Sequence, residues 1–271
     1  MEVTTRALEH SLVQRLRMKI AGIPGARTAY DTLRLIFAPT FREDGLSTSH
    51  NCDFVRDPQF LRAHEAAQKH EARVSIRWRM HVTQWAGFHA MQLGGDFVEC
   101  GVNRGFLSAS VMAYLDFKSL HDRKFFLFDT YSGLVEELVT EEDVAAHRHA
   151  YKDCHDFVVD AFKRYPNVVI VKGVVPDSLR TVEIERVAYL SIDMNCVQPE
   201  IAAMEYFWPR LVAGGIVIID DYGFSGHEAQ KRAADRFAAS VGARILSLPT
   251  GQGLLLKPGP AKLGADAASP R

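Results

Sequence analysis

From Asp96 onward the chain alternates between two kinds of segment, and that alternation limits the folds open to it. "DFVECG", "KFFLFDT", "NVVIVKG", "VAYLSIDMN" and "GGIVIIDDYG" are short runs rich in Val, Ile and Phe, which suit strands. "RGFLSASVMAYLDF", "YKDCHDFVVDAFKRY", "PEIAAMEYFWPRLV" and "HEAQKRAADRFAAS" carry apolar residues at helical spacing. Pro166 closes the second of these helices, and Pro199 sits in the first turn of the third, where a missing N–H costs nothing. Strand–helix units of this length build a parallel sheet with helices on both faces. "ARILSLP" and "GLLLKP", joined by "TGQ", predict an antiparallel terminal hairpin. The expected fold class is α/β, with a doubly wound, mostly parallel sheet.

Residues 1–75 read differently. "LEHSLVQRLRMKIAGIPGARTAYDTLRLIFAPTF" mixes apolar positions at helical spacing with Arg and Lys, is broken at Pro24–Gly25 and ends at Pro39. It reads as a helical pair packing on a second copy or on the core. A basic face on a membrane or an anionic polymer is the alternative, disfavoured by the interspersed acids. "FREDGLSTSH" is polar and turn-rich, and helix resumes after Pro58. "IRWRMHVTQWAGFHAMQL" reads as a core-facing helix stopped by Gly94–Gly95. The organisation expected is an N-terminal extension over 1–75, a main domain over 76–258 and a disordered tail over 259–271.

The 271 residues carry a net charge of −1, which leaves no electrostatic case for nucleic acid. No apolar run is long enough to span a membrane, and the N-terminus lacks a signal-peptide pattern. Cys52, Cys100, Cys154 and Cys196 are scattered without metal-binding spacing, so they read as reduced, buried thiols of a cytoplasmic protein.

In open parallel sheets ligands collect beyond the C-terminal strand ends. Those ends are Glu99–Gly101, Asp129–Thr130, Lys172–Gly173, Asp193–Asn195 and Asp220–Asp221, and all but one carry an acid. In "VECGVNRG", Gly101 and Gly105 let a ligand approach the backbone. Asn103 stands where a dinucleotide fingerprint has its middle glycine, which counts against NAD. Glu99 repels a phosphate and suits an ammonium. Asp129 suits ribose hydroxyls, or else caps a helix. An ammonium at Glu99 and a ribose at Asp129 together describe S-adenosylmethionine.

"DFVECGVNRG", "FLFDTYSGL", "VKGVVPDSL", "LSIDMN" and "GGIVIIDDYG", in that order and spacing, resemble the macrocin O-methyltransferase family over roughly residues 75–257. These TylF-like enzymes are class I S-adenosylmethionine-dependent methyltransferases. The resemblance implies a seven-stranded Rossmann-like sheet, S-adenosylmethionine as cofactor, a magnesium ion on three aspartates, a sugar hydroxyl as methyl acceptor, and a homodimer. It places Glu99, Gly101, Asn103, Arg104, Gly105, Ser108, Asp129, Thr130, Gly173, Asp177 and Asp193 by the cofactor. It also makes Asp193, Asp220 and Asp221 the metal ligands. Neighbouring strands lie about 5 Å apart, so three carboxylates at their ends can converge, and a cation would offset their repulsion. A helix cap or a turn is the alternative for Asp220 and Asp221. A metal-bound hydroxyl becomes more acidic. Asp193 is the first candidate for the base that takes its proton, and His227 competes for that role.

Asn195 departs from the family pattern, which has an acid there. Gln252 is a candidate to reach the acceptor, unless its turn alone explains it. Trp85 could face the cofactor or pack, whereas Trp208 reads as core. The loop over residues 132–150 is either a lid or a solvated helix. Three other functions stay open: a catechol-type O-methyltransferase, an inactive cofactor-binding accessory protein, and an NAD-dependent oxidoreductase.

Overall fold

The computed structural model describes residues 25–139 and 151–259. Contacts divide the chain between Asp53 and Phe54 into two compact units. In the smaller unit, helix α1 (Ala26–Phe37) exposes Leu33, Ile36 and Phe37 on one face. Strands β1 (Phe41–Glu43) and β2 (Leu46–Thr48) follow as an antiparallel hairpin. Its two-residue loop is Asp44–Gly45, both at positive φ (52° and 73°), as a mirror-image hairpin turn requires. This hairpin lies in the segment that reads only as turn-rich in the sequence. The first helix of the expected N-terminal pair falls on residues outside those described. So do most of the tail and residues 140–150 of the expected lid.

The larger unit opens with α2 (Pro58–Gln68). The Asp57 carboxylate caps it, accepting from the backbone N–H groups of Gln59 (2.9 Å) and Phe60 (2.8 Å), an arrangement worth about 1 kcal/mol. Its buried Phe60 and Ala67 share a cluster with Met80, Phe106 and Leu107. Helix α2 therefore belongs with the sheet-bearing unit, although the sequence reading grouped it with the extension. Helix α3 (Arg77–Ala90) buries Arg79, Thr83, Ala86 and Ala90 along one stripe.

Then come β3 (Asp96–Cys100), α4 (Phe106–Leu115), β4 (Phe125–Asp129), α5 (His155–Phe162), β5 (Val168–Lys172) and β6 (Val187–Ile192). They are followed by α6 (Val197–Phe207), β7 (Leu211–Ile219), α7 (Glu228–Ser240), β8 (Leu246–Ser247) and β9 (Gly253–Leu256). The sheet order is β5-β4-β3-β6-β7-β9-β8. The first five of these strands are parallel, and β9 and β8 close the edge antiparallel, as expected. Alternate strand residues feed the two faces. Val98, Phe126, Leu190 and Val217 pack with α6 and α7, while Phe97, Phe125, Leu127 and Ile218 pack with α3, α4 and α5. The fifth expected strand, "GGIVIIDDYG", departs from expectation at its start. Pro209 ends the α6 run in a short 3-10 turn, and β7 begins at Leu211. It stops at Ile219, so Asp220 and Asp221 stand just past the strand.

Strand β3 is flanked by β4 on one side and β6 on the other, so the chain winds in opposite directions from it. A crevice opens at such a switch point, above the strand C-termini.

Candidate active site

One ladder hydrogen bond beyond each strand end holds the loops that carry the site. Gly101 N–H donates to the Phe128 carbonyl, Asp193 to Cys100, Gly173 to Asp129 and Asp220 to Ile192, each at 2.9 Å. The loop after β3 comes so close to the one after β6 that only glycine fits at position 101. Its φ is +88°, and a Cβ there would lie 1.8 Å from the Asp193 carbonyl oxygen. Asp129 ties the same loop from the other side. Its Oδ2 accepts from Val102 N–H (2.6 Å) and Asn103 N–H (2.7 Å), and its Oδ1 from Tyr131 N–H (2.6 Å). The Thr130 hydroxyl donates to the Gly133 carbonyl at 2.6 Å and lies only 3.3 Å from Oδ1. The carboxylate thus braces the glycine turn and keeps a lone pair on Oδ1 for a ribose hydroxyl.

The cleft above these ends is lined by Gly101, Asn103, Asp129, Thr130, Gly173 and Asp193, all six expected there, and also by Tyr151 and Asn195. Five other expected cofactor residues do not line it. Arg104 turns away: its Nε donates to the His70 carbonyl (2.8 Å) and its guanidinium lies 3.8 Å from the centre of the Phe157 ring. Gly105 is needed for packing, since a Cβ there would sit 2.6 Å from the Phe162 ring. Ser108 donates its hydroxyl to Glu99, and both are buried. Burial pushes the Glu99 carboxyl up to about 8, with Asp220 and Asp129 adding to the effect and the Ser108 bond opposing it. Asp177 is exposed, at the start of a 3-10 turn. Trp85 is half exposed and stacks on His89. Trp208 packs edge-on against Phe237, as core.

At one end of the cleft Asp193 meets a second cluster. Burial raises its pKa well above the carboxylate range; Asp220 and Asp221 raise it further, and Arg79 opposes them. The Asn195 amide donates to Asp193 Oδ1 (3.1 Å) and to the Tyr151 hydroxyl (3.2 Å), leaving its own buried Oδ1 without a hydrogen-bond partner. Glu200, in the first turn of α6, braces this loop by accepting from Met194 N–H (3.2 Å).

The paired aspartates do face a cation, but it belongs to the chain. Arg79 Nη1 lies 2.5 Å from Asp220 Oδ2 and 3.3 Å from Asp221 Oδ1. Gln252, fully buried, donates to the other oxygen of Asp220 at 2.8 Å. Each Asp220 oxygen therefore already accepts a hydrogen bond, and Arg79 supplies at the pair the positive charge that a magnesium ion would bring. Among the described residues no group of three or more His, Cys, Asp or Glu side chains is arranged to hold a metal ion. Asp193, Asp220 and Asp221 are close enough to shift one another's charge, and the fixed cation beside them is Arg79. His227 precedes α7 and is buried, with Nδ1 3.8 Å from Asp221 and 2.9 Å from the Gln230 amide nitrogen. It does not line the cleft.

Sequence reasoning missed Arg79, Tyr151 and Glu200. Arg79 left a signal: it heads the stripe that continues through Thr83, Ala86 and Ala90, so helical spacing alone puts a cation on the buried face.

A five-strand parallel sheet closed by an antiparallel hairpin, with a glycine turn and a cleft at its switch point, is the class I methyltransferase fold. A solved structure described as that of the O-methyltransferase NovP superposes with a TM-score of 0.58 at 21% identity, covering 67% of this chain and 80% of that one. The family model for macrocin O-methyltransferase (TylF) matches residues 79–244, and the chain belongs to that family. It is 28% identical over 142 residues to the mycinamicin III 3''-O-methyltransferase of Micromonospora griseorubida, covering 47% of this chain and 55% of that protein. It is 31% identical over 140 residues to an enzyme of Streptomyces olivaceus, with 47% and 53% covered. That enzyme is the 8-demethyl-8-(2,3-dimethoxy-alpha-L-rhamnosyl)-tetracenomycin-C 4'-O-methyltransferase. The chain spans about half the length of these curated relatives.

Proposed function

We propose that this protein transfers the methyl group of S-adenosylmethionine to a hydroxyl of a sugar, most simply a deoxysugar on a glycosylated natural product. The names of both curated relatives, one of which specifies a rhamnosyl unit, support that acceptor class. The observation that carries the chemistry is Asp193, a cleft-lining carboxyl whose pKa is raised by burial and by its acidic neighbours. A carboxylate with a raised pKa is a stronger base, suited to take a proton at neutral pH. The positive sulfonium of a bound cofactor favours its ionised form.

The reaction balances simply. The acceptor hydroxyl gives its proton to Asp193, the oxygen attacks the methyl carbon in line, the C–S bond breaks, and S-adenosylhomocysteine leaves. Asn195, on the cleft wall beside Asp193, supports a second polar contact with the acceptor. Asp193 is preferred to His227 as the base because it lies on the cleft wall. Magnesium, which the resemblance implied, enters no step, because Arg79 already places a positive charge on the aspartate pair. The exposed Leu33, Ile36 and Phe37 of α1 support pairing of two copies, and four buried free thiols support a reducing, cytoplasmic setting.

The test is mass spectrometry of a panel of rhamnosylated polyketides and nucleotide-activated deoxysugars incubated with S-adenosylmethionine. One added methyl is expected on at least one sugar, with turnover about 10²–10⁴-fold lower in Asp193→Asn. Methylation of catechols alone would replace the sugar reading. Full activity in Asp193→Asn would remove Asp193 as the base.

A further inference from the structure

We infer that Arg79 is the built-in cation of this site and that methyl transfer here needs no divalent metal. Four observations carry this. Arg79 reaches both members of the aspartate pair, at 2.5 and 3.3 Å, with its own side chain only 9% exposed and that of Asp220 5%. A buried guanidinium persists only when paired, and this one is paired twice. The Phe224 ring lies 4.2 Å from the guanidinium carbon and adds a cation–π contact. Gln252 occupies the Asp220 oxygen that Arg79 leaves. Asn195 puts a neutral amide, bonded to Asp193, where the family resemblance has an acid. A fixed positive charge on the aspartate pair and a neutral amide beside Asp193 each weaken the site's hold on a divalent ion.

The register of α3 makes the arrangement durable, because Arg79 leads the buried stripe that anchors this helix on the sheet. Arg79 then acts as a positioning residue: its two ion pairs hold Asp220 and Asp221 in place beside Asp193. A chelated metal requires two adjacent oxygens on the acceptor, whereas a fixed guanidinium does not. Sugars whose neighbouring hydroxyl is absent or already methylated therefore remain acceptors.

The inference rests on the methyltransferase reading for its reaction, but its central test does not. Full-length protein, stripped with chelator, is titrated with Mn2+ alone and followed by electron paramagnetic resonance. S-adenosylhomocysteine calorimetry runs in parallel. Wild type is expected to show no saturable Mn2+ site at millimolar metal, and chelation should leave S-adenosylhomocysteine affinity unchanged. Arg79→Met should gain one Mn2+ site, which a second change, Asp220→Asn, removes. Stoichiometric Mn2+ binding by wild type that Asp220→Asn abolishes would overturn the inference, as would a folded Arg79→Met protein with no gained site. If Arg79→Met does not fold, the wild-type titration decides the matter together with Arg79→Lys, which should likewise bind no Mn2+. Failure of S-adenosylhomocysteine to bind wild type would instead strike the methyltransferase reading and leave the Mn2+ result standing.

Discussion

Gly101→Ala isolates the close approach on which the cleft depends. The native φ of +88° is open to glycine and costs an L-residue about 1–2 kcal/mol. The added Cβ would also fall 1.8 Å from the Asp193 carbonyl oxygen and 2.4 Å from its carbon. Those are backbone atoms held by the ladder bond from Asp193 N–H to Cys100, so no side-chain rotation relieves the clash. Overpacking of this kind costs about 1–3 kcal/mol more, for a total of about 2–5 kcal/mol. Gly242→Ala supplies the control: its φ is +69°, and a Cβ there meets nothing within 4 Å, so only the dihedral cost applies. Urea denaturation of both variants measures the difference, and S-adenosylhomocysteine calorimetry reads the site. Gly101→Ala should lose clearly more stability than Gly242→Ala and bind the ligand poorly or not at all. Equal losses in the two variants, with ligand affinity intact, would refute the claim that the β3 and β6 loops share this contact.

Other outcomes follow from the same geometry. Asp129→Ala removes the acceptor of three short backbone N–H bonds; with charge-assisted bonds worth about 1.5–3 kcal/mol each and partial rescue by water, a loss of about 2–4 kcal/mol is expected in denaturant titration, with weakened cofactor binding. Glu99 is raised from 4.5 to about 8, so the folded protein holds a proton there that the unfolded chain has lost. Its contribution is therefore neutral below the unfolded value and becomes increasingly destabilising as pH climbs from about 4.5 to 8. Glu99→Gln should gain stability over wild type at pH 8, by up to roughly 3–5 kcal/mol, and little at pH 4. An unchanged difference across that range would contradict the buried-acid assignment. Because Asp193 must be ionised to act and its pKa is raised, kcat should fall with decreasing pH in a limb above the usual carboxylate range. A profile flat down to the pKa of an ordinary aspartate would remove that role.

The alternating strands and helices were legible because each is a local pattern with its own period. The parallel order, the terminal hairpin and the strand-end positions of Asp129, Asp193 and Asp220 follow from it. What a strand-end motif does not reveal is where each side chain points. Asn103 turns through positive φ, and the next residue, Arg104, reaches the His70 carbonyl rather than the cleft. Ser108, one turn into α4, faces Glu99. The charge that balances the paired aspartates comes from a residue 141 positions upstream of Asp220, beyond any local pattern. The Asp44–Gly45 hairpin was legible in principle, since that dipeptide favours a two-residue turn, but its strands are only three residues long.

Calorimetric titration of S-adenosylhomocysteine into the full-length protein tests the central claim most directly. The account predicts a single saturable site of micromolar affinity, weakened by Gly101→Ala and by Asp129→Ala. Absence of binding, with NAD saturating the cleft instead, would contradict it.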